Sequence, residues 1–323
     1  MNIAACHALV RATPYFRSSA EAAISHPSLE AAALIGVDWG TSNVRVMRLA
    51  AGGRVLDQRA DPRGAGELSA EGFRAVLDEV AGDWLAEAPV LICGMAGARG
   101  KWREAGYQPC PASLTDIAGA LVRPGTDGEV FIVSGVSEVE DGVLTDVMRG
   151  EETQMMGLWG DGGSGWAVAP GTHSKWIRVE DGRIVSFRTF VTGELFAAVS
   201  QSAILSSSPD RAAGDDEAFS RGVERSLSDR AVTAALFSVR AGMLGGRLAP
   251  EAAPDYLSGL LIGAEIAAQL QAAHAAPVTL VGAPELSRRY GMALEVAGLP
   301  RPEVADAAEV TAKGLWRIWE ART

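Results

Sequence analysis

Three groups of residues in this 323-residue chain could carry chemistry. The first is a turn, Asp38-Trp39-Gly40-Thr41-Ser42-Asn43, between an apolar run (Leu34, Ile35, Val37) and a second run from Val44 to Leu49. A small-residue turn headed by an acid can offer backbone N–H groups and hydroxyls, here at Gly40, Thr41 and Ser42, to a phosphate. The Asp38 carboxylate can hold a metal ion or its water. A Walker-type or dinucleotide loop would lead into a helix, whereas this turn leads into a strand. It therefore reads as a hairpin type of phosphate clasp, and taken singly it could equally be an ordinary hairpin turn. The pattern returns at Trp166 to Phe190 as strand, Gly-Thr turn, strand, Asp-Gly turn, strand. Gly171, Thr172, His173 and Ser174 overlay Gly40 to Asn43, with Lys175 next in line, and Gly182 falls close to Gly53.

The second group is the acids Glu151 and Glu152, which with Arg149 and Gln154 interrupt an apolar stretch. Transfer of a phosphoryl group to a hydroxyl needs a carboxylate within reach of that hydroxyl, and a Glu-Glu pair at a helix start can supply it. Acids in a first turn also stabilise a helix dipole with no catalytic part. The third group is Arg99, Lys101, Trp102 and Arg103, in a loop behind the buried strand Pro89–Cys93. Loops in that position of an α/β sheet border ligands. Cations with an aromatic suit a small acidic substrate; the alternative is a solvated loop with a packed tryptophan.

The elements that must position these groups follow from periodicity. Phe73, Val76, Leu77, Val80 and Trp84 have helical spacing, so a helix capped by Ser69 is expected to run to about Glu87. Within Ser134–Leu158 the first half reads as turns, and Asp146 to Leu158 as helical. Gly160–Gly165 (GDGGSG) reads as a linker. Pro277–Val281 is a buried strand opening at Gly282-Ala283-Pro284 into a helix, with proline suited to its first position. Val310–Trp319 closes the chain as an amphipathic helix.

The composition, 48% hydrophobic and 21% charged, is that of a globular chain with a real core. A net charge of −11 argues against nucleic acid or anionic membrane as a partner. The three cysteines lack metal or redox spacing, so a cytoplasmic location is the default expectation. Met1–Ser28 carries Arg11 and Arg17 against one acid, Glu21, and reads as a loosely packed extension.

Two hairpins of one kind suggest two similarly built lobes facing a shared cleft, which resembles the sugar kinase, Hsp70 and actin superfamily. A closer resemblance is carried by DWGTSNVR (38–45), GMAGARGKWREAGYQPCPA (94–112), DVMRGEETQ (146–154), PGTHSKW (170–176) and TGELFA (192–197). In these the chain is similar to the 2-dehydro-3-deoxygalactonokinase family. The resemblance implies an α/β, two-lobed actin-like (ribonuclease H-like) fold with the active site between the lobes. It divides the chain into an extension (1–33), an N-terminal lobe (34–162) and a C-terminal lobe (163–323). The implied reaction is ATP-dependent phosphorylation of 2-dehydro-3-deoxy-D-galactonate at its terminal hydroxyl, in galactonate catabolism; the alternatives are a kinase of the same fold for another sugar or sugar acid, or a non-catalytic nucleotide-binding regulator.

The implied roles are Asp38 for Mg²⁺; Gly40, Thr41 and Ser42 for the transferred phosphate; and Gly171, Thr172, His173, Ser174 and Lys175 for the others. Gly282 and Glu285 would line the adenosine side, and Arg99 and Trp102 would meet the sugar acid. The base would be Glu151 or Glu152, which the sequence leaves unseparated, with Asp146 in reserve. Where relatives often carry an Asp in the second loop, this chain has Ala169-Pro170, so one clear carboxylate faces the metal. The oligomeric state is left open, a homodimer included.

Overall fold

A computed structural model describes residues 30–126, 128–202, 214–229, 231–273 and 277–322. The extension expected over residues 1–33 lies outside the described residues up to residue 29.

Strands β1 (Leu34–Trp39), β2 (Val44–Leu49) and β3 (Val55–Asp61) form an antiparallel meander. Beyond β1, β4 (Val90–Gly94) and then β6 (Val130–Ile132) add in parallel, giving the sheet order β3-β2-β1-β4-β6. The second half repeats this plan. Strands β9 (Gly165–Ala169), β10 (Ser174–Glu180) and β11 (Arg183–Phe190) are antiparallel, and β12 (Val278–Val281) and β13 (Glu303–Ala305) follow in parallel, in the order β11-β10-β9-β12-β13. Two sheets of one topology, each opening with a hairpin whose turn holds Gly-Thr, make the two-lobed actin-like fold.

A small third sheet corrects one expectation. Instead of turns followed by a helix from Asp146, strands β5 (Tyr107–Pro109), β7 (Gly135–Glu140) and β8 (Val143–Met148) pair, and the helix starts only at Glu151. Asp141 and Gly142, both at positive φ, close the β7–β8 hairpin, and Asp-Gly between two strand-forming runs is a hairpin signal. The first helix is shorter than expected as well. Helix α1 (Ala70–Ala81) gives way to a 3₁₀ turn at Gly82, whose φ of 57° ends the α-helical path. The GDGGSG segment is no free linker: the Gly162 and Gly163 N–H groups both donate to the Trp159 carbonyl at 3.1 Å, folding it into a closed turn.

Each sheet has an outer and an inner face. On the first sheet, Ile35, Val37 and Trp39 point outward to α1, while Leu34, Met47 and Leu49 point inward. On the second, Val168 and Trp176 face outward to α5 (Asp216–Ser228), α7 (Ala253–Ala273) and α8 (Pro284–Val296), while Ala167, Ile177 and Val179 face inward. The two inner faces share one core with α2 (Leu114–Ala118), α3 (Glu151–Trp159) and α9 (Ala307–Ala321). Helix α4 (Thr192–Ser200) and α6 (Val232–Leu244) pack with α7 in a separate cluster. Although α9 follows the last strand of the second sheet, it returns to the first: a Cβ at Gly36 would sit 2.9 Å from Leu315. Among the described residues no helix is long and apolar enough to cross a membrane.

Helices α3 and α9 cross backbone to backbone at two glycines. A Cβ on Gly157 would stand 1.8 Å from the Val310 carbonyl oxygen, and one on Gly314 1.8 Å from that of Thr153. Neither obstacle is a movable side-chain end, so an added methyl must push the helices apart. Gly157→Ala and Gly314→Ala are each expected to destabilise by more than about 2 kcal/mol, read as melting temperature. Gly125→Ala, with nothing within 4 Å, is expected to melt like the parent. Parental melting of both helix variants would show that the crossing has slack.

Candidate active site

Strand periodicity decides which side chains reach the space between the lobes. With period two, Asp38 shares the inner face of β1 with Leu34 and Gly36, and Lys175 shares that of β10 with Ile177 and Val179. Asp38 is the last inward position before its turn, and Lys175 the first inward position after its own. They open into a cleft of about 480 Å³ between the sheets. Its wall includes Asp38, Gly40 and Thr41 from the first hairpin; Arg149, Gly150, Glu151 and Gln154 from the start of α3; Gly171, Thr172, His173 and Lys175 from the second; and Gly282 after β12.

The cleft thus collects Asp38, Gly40, Thr41, Glu151, Gly171, Thr172, His173, Lys175 and Gly282 of the expected set. Five expected residues lie elsewhere, and Glu152 sits behind the wall. Ser42 is exposed at the hairpin tip. Ser174 points to the outer face, where its hydroxyl donates to Glu265 Oε1 at 2.7 Å. Glu285 lines a neighbouring cavity of about 470 Å³ that meets the cleft at Gly171 and is walled by Phe196, Leu261, Ile262, Pro284 and Tyr290. Arg99 is 89% exposed and pairs with Glu104 at 3.3 Å. Trp102 is stacked on Phe73 at 5.8 Å and set edge-on to Trp39 at 6.0 Å. The substrate role expected of Arg99 and Trp102 is therefore not supported by their positions: the loop turns its tryptophan into the core and its arginine to solvent. Asp146, the reserve base, accepts from the Thr189 N–H and hydroxyl, both at 2.7 Å, and ties β8 to β11.

The two glutamates at the α3 start separate cleanly. Glu151 lies on the cleft wall, its Oε1 3.4 Å from Lys175 Nζ, so a carboxylate of the first lobe meets a lysine of the second. Lys175 also donates to the His173 carbonyl at 3.1 Å. Glu152 is 0% exposed behind the wall; it accepts from the Gly150 N–H at 2.6 Å and the Thr153 hydroxyl at 3.0 Å. Burial, with the Glu151 charge adding to it, pushes the Glu152 carboxyl up to about 7. Burial also raises Asp38, against the pull of Arg45 3.9 Å away, and Glu151 adds to the rise. A carboxylate on the cleft wall, beside a turn of glycine and threonine and only partly offset by Arg45, fits a hydrated divalent cation. Among the described residues no cluster of three or more His, Cys, Asp or Glu could hold a metal alone. Mg²⁺ needs only one or two carboxylates when phosphates supply its other ligands.

Glu265 was not anticipated. It sits in the middle of α7 and accepts from Ser174 and Trp176 Nε1 at 2.7 Å each, from Tyr290 Oη at 2.7 Å, and from the Thr192 hydroxyl. One buried acid so joins the second Gly-Thr turn, the start of α4 and the wall of the apolar cavity. An isolated Glu in an otherwise Ala- and Leu-rich helix was the signal that could have revealed it.

The profile of the 2-keto-3-deoxy-galactonokinase family matches residues 38–318. The chain belongs to that family. It is 42% identical over 289 residues to a Rhizobium meliloti protein assigned as a 2-dehydro-3-deoxygalactonokinase, covering 86% of this chain and 94% of the relative. It is 36% identical over 273 residues to the Escherichia coli 2-dehydro-3-deoxygalactonokinase, covering 84% of this chain and 92% of that one. A crystal structure assigned to the same kinase, from Sinorhizobium meliloti, superposes with a TM-score of 0.80 at 40% identity, over 87% of this chain and 96% of the other. The family match spans both hairpin turns, α3 and most of α9, and takes in every residue lining the cleft.

Within this member of the galactonokinase family, Glu152 carries a testable energetic signature. Its folded-state pKa, about 7, lies above the ordinary value of 4.5. The folded state therefore binds the proton more tightly, and stability falls as pH rises from about 4.5 through 7. Glu152→Gln is expected to raise the melting temperature at pH 8, by up to roughly 3 kcal/mol of stability, and to shift it little at pH 4.5. Equal shifts at both pH values would contradict a neutral, buried Glu152.

Proposed function

We propose that this cleft transfers the γ-phosphoryl group of ATP to the terminal hydroxyl of 2-dehydro-3-deoxy-D-galactonate. The observation that carries the reading is the meeting of Glu151 and Lys175 between two Gly-Thr turns. Such a cleft has a proton acceptor on one wall and phosphate ligands on both.

In this reading the adenosine lies in the apolar cavity beside Gly282, with Glu285 at its wall, and the phosphates pass over Gly171, Thr172 and His173 into the cleft. Lys175 leaves Glu151 for a phosphate oxygen, and Gly40 and Thr41 receive the transferred group. Glu151 then accepts the proton of the terminal hydroxyl as its oxygen bonds to phosphorus and the bond to the bridging oxygen breaks, releasing ADP. Asp38 would hold a magnesium ion, whose charge offsets that of the phosphate oxygens. Glu152 takes no proton from substrate; it clamps the Gly150 N–H and so shapes the turn that presents Glu151. The protein contributes positioning and charge rather than covalent chemistry. A kinase of this kind works in the cytoplasm, where ATP is supplied.

The test is ADP release with Mg-ATP and the sugar acid. Turnover of the acid, with little on neutral sugars, is expected. Glu151→Gln is expected to lower kcat by about 10²–10⁴-fold while ATP still binds. Parental turnover by that variant would strip Glu151 of the role of base.

A further inference from the structure

The substrate acid brings a carboxylate, and the arginine expected to meet it points to solvent. The basic side chains on the cleft wall are Arg149, His173 and Lys175. His173 Nε2 lies 2.6 Å from Glu194 Oε2, and Lys175 is paired with Glu151. Among the described residues Arg149 has no carboxylate within ion-pair distance. Its Nη2 donates to the Gly106 carbonyl at 2.7 Å and its Nη1 to that of Val133 at 3.4 Å. Its Nε is buried without a hydrogen-bond partner. The guanidinium lies over the face of Tyr107, 4.5 Å from the ring centroid, and Tyr107 is itself on the cleft wall. A Cβ on Gly97 would come within 2.7 Å of Nη1, so the loop after β4 is moulded around the group. Two carbonyls and an aromatic face fix this fork in place, and three of its five N–H groups remain without an acceptor among the described residues.

We propose that Arg149 binds the carboxylate of the sugar acid and sets the preference of the cleft for acids over neutral sugars. This rests on the kinase reading above. Carbonyls orient a guanidinium without neutralising it, so the full charge remains for an anion, and a planar fork suits a carboxylate. Arg149 and Glu151 flank Gly150, whose φ of 105° turns the chain sharply between them. One side chain would hold the acid end of the substrate while the other receives the proton from its hydroxyl end.

The experiment measures kcat/KM for 2-dehydro-3-deoxygalactonate and for its C1 primary amide, together with KM for ATP. The parent enzyme must first turn over the acid; if it does not, the kinase reading fails and not this one. Given that turnover, Arg149→Gln is expected to raise KM for the acid at least about tenfold, to leave KM for ATP within twofold, and to cut the acid-to-amide preference by a similar factor. Because Arg149 also braces Gly106 and Val133, Arg149→Lys carries the same readout if the glutamine variant does not fold. The lysine keeps a charge but loses the fork, and a fall of at least about threefold in the preference is expected. An unchanged acid-to-amide preference in a folded variant overturns the assignment, whatever happens to overall activity.

Discussion

The crossing of α3 and α9 is the contact on which the rest of the molecule depends. Backbone meets backbone at Gly157 and Gly314, and the two inner sheet faces close around the pair. The distance between the sheets is therefore set by helix backbones rather than by side chains that could repack. That distance is also the width of the cleft, because α3 begins at Glu151 on its wall. Further ties between the lobes run from the third sheet and from the segment that follows β5. Asp146 and Glu138 accept backbone N–H groups of β11, at Thr189 and Phe187, and Ala112 bridges to Ile184. The space between the two hairpin turns is left to the cleft.

Charge within this frame is handled in two ways. Glu265 is buried at a cost, which four donors from three elements offset. The result is a rigid seat for the second Gly-Thr turn, which also braces Thr192 and Tyr290 on the wall of the apolar cavity. Glu151 and Lys175 do the reverse: each is the other's partner across the cleft, with Lys175 only 9% exposed. Removing one member would leave a nearly buried charge unmatched, which is far costlier than losing a surface pair. An incoming phosphate can replace Glu151 as the partner of Lys175 without leaving that charge bare.

Much of this was legible in the chain because short-range rules and function agreed there. Alternating apolar residues around Gly-Thr turns marked both hairpins, and their recurrence marked the two lobes. Period two alone would have placed Ser174 opposite Lys175, on the far face, had it been applied through the turn. Asp141-Gly142 was a hairpin signal masked by the helical look of the residues after it. Trp102 and Arg99 could not be placed from composition, since an aromatic-cationic loop reads the same whether its tryptophan packs inward or faces ligand. Glu265 and Arg149 depend on partners far away in sequence: the partners of Glu265 lie 25 to 91 positions from it. The return of α9 to the first sheet is likewise a matter of packing between distant segments.

The central claim is that the cleft places one end of a sugar acid against Glu151, so that phosphate lands on the terminal hydroxyl. Phosphorus NMR of the product, with proton coupling retained, tests this most directly. A terminal ester shows phosphorus coupled to the two protons of one CH₂ group, and that pattern is predicted. Coupling to a single methine proton would place the phosphate on an internal hydroxyl and contradict the account.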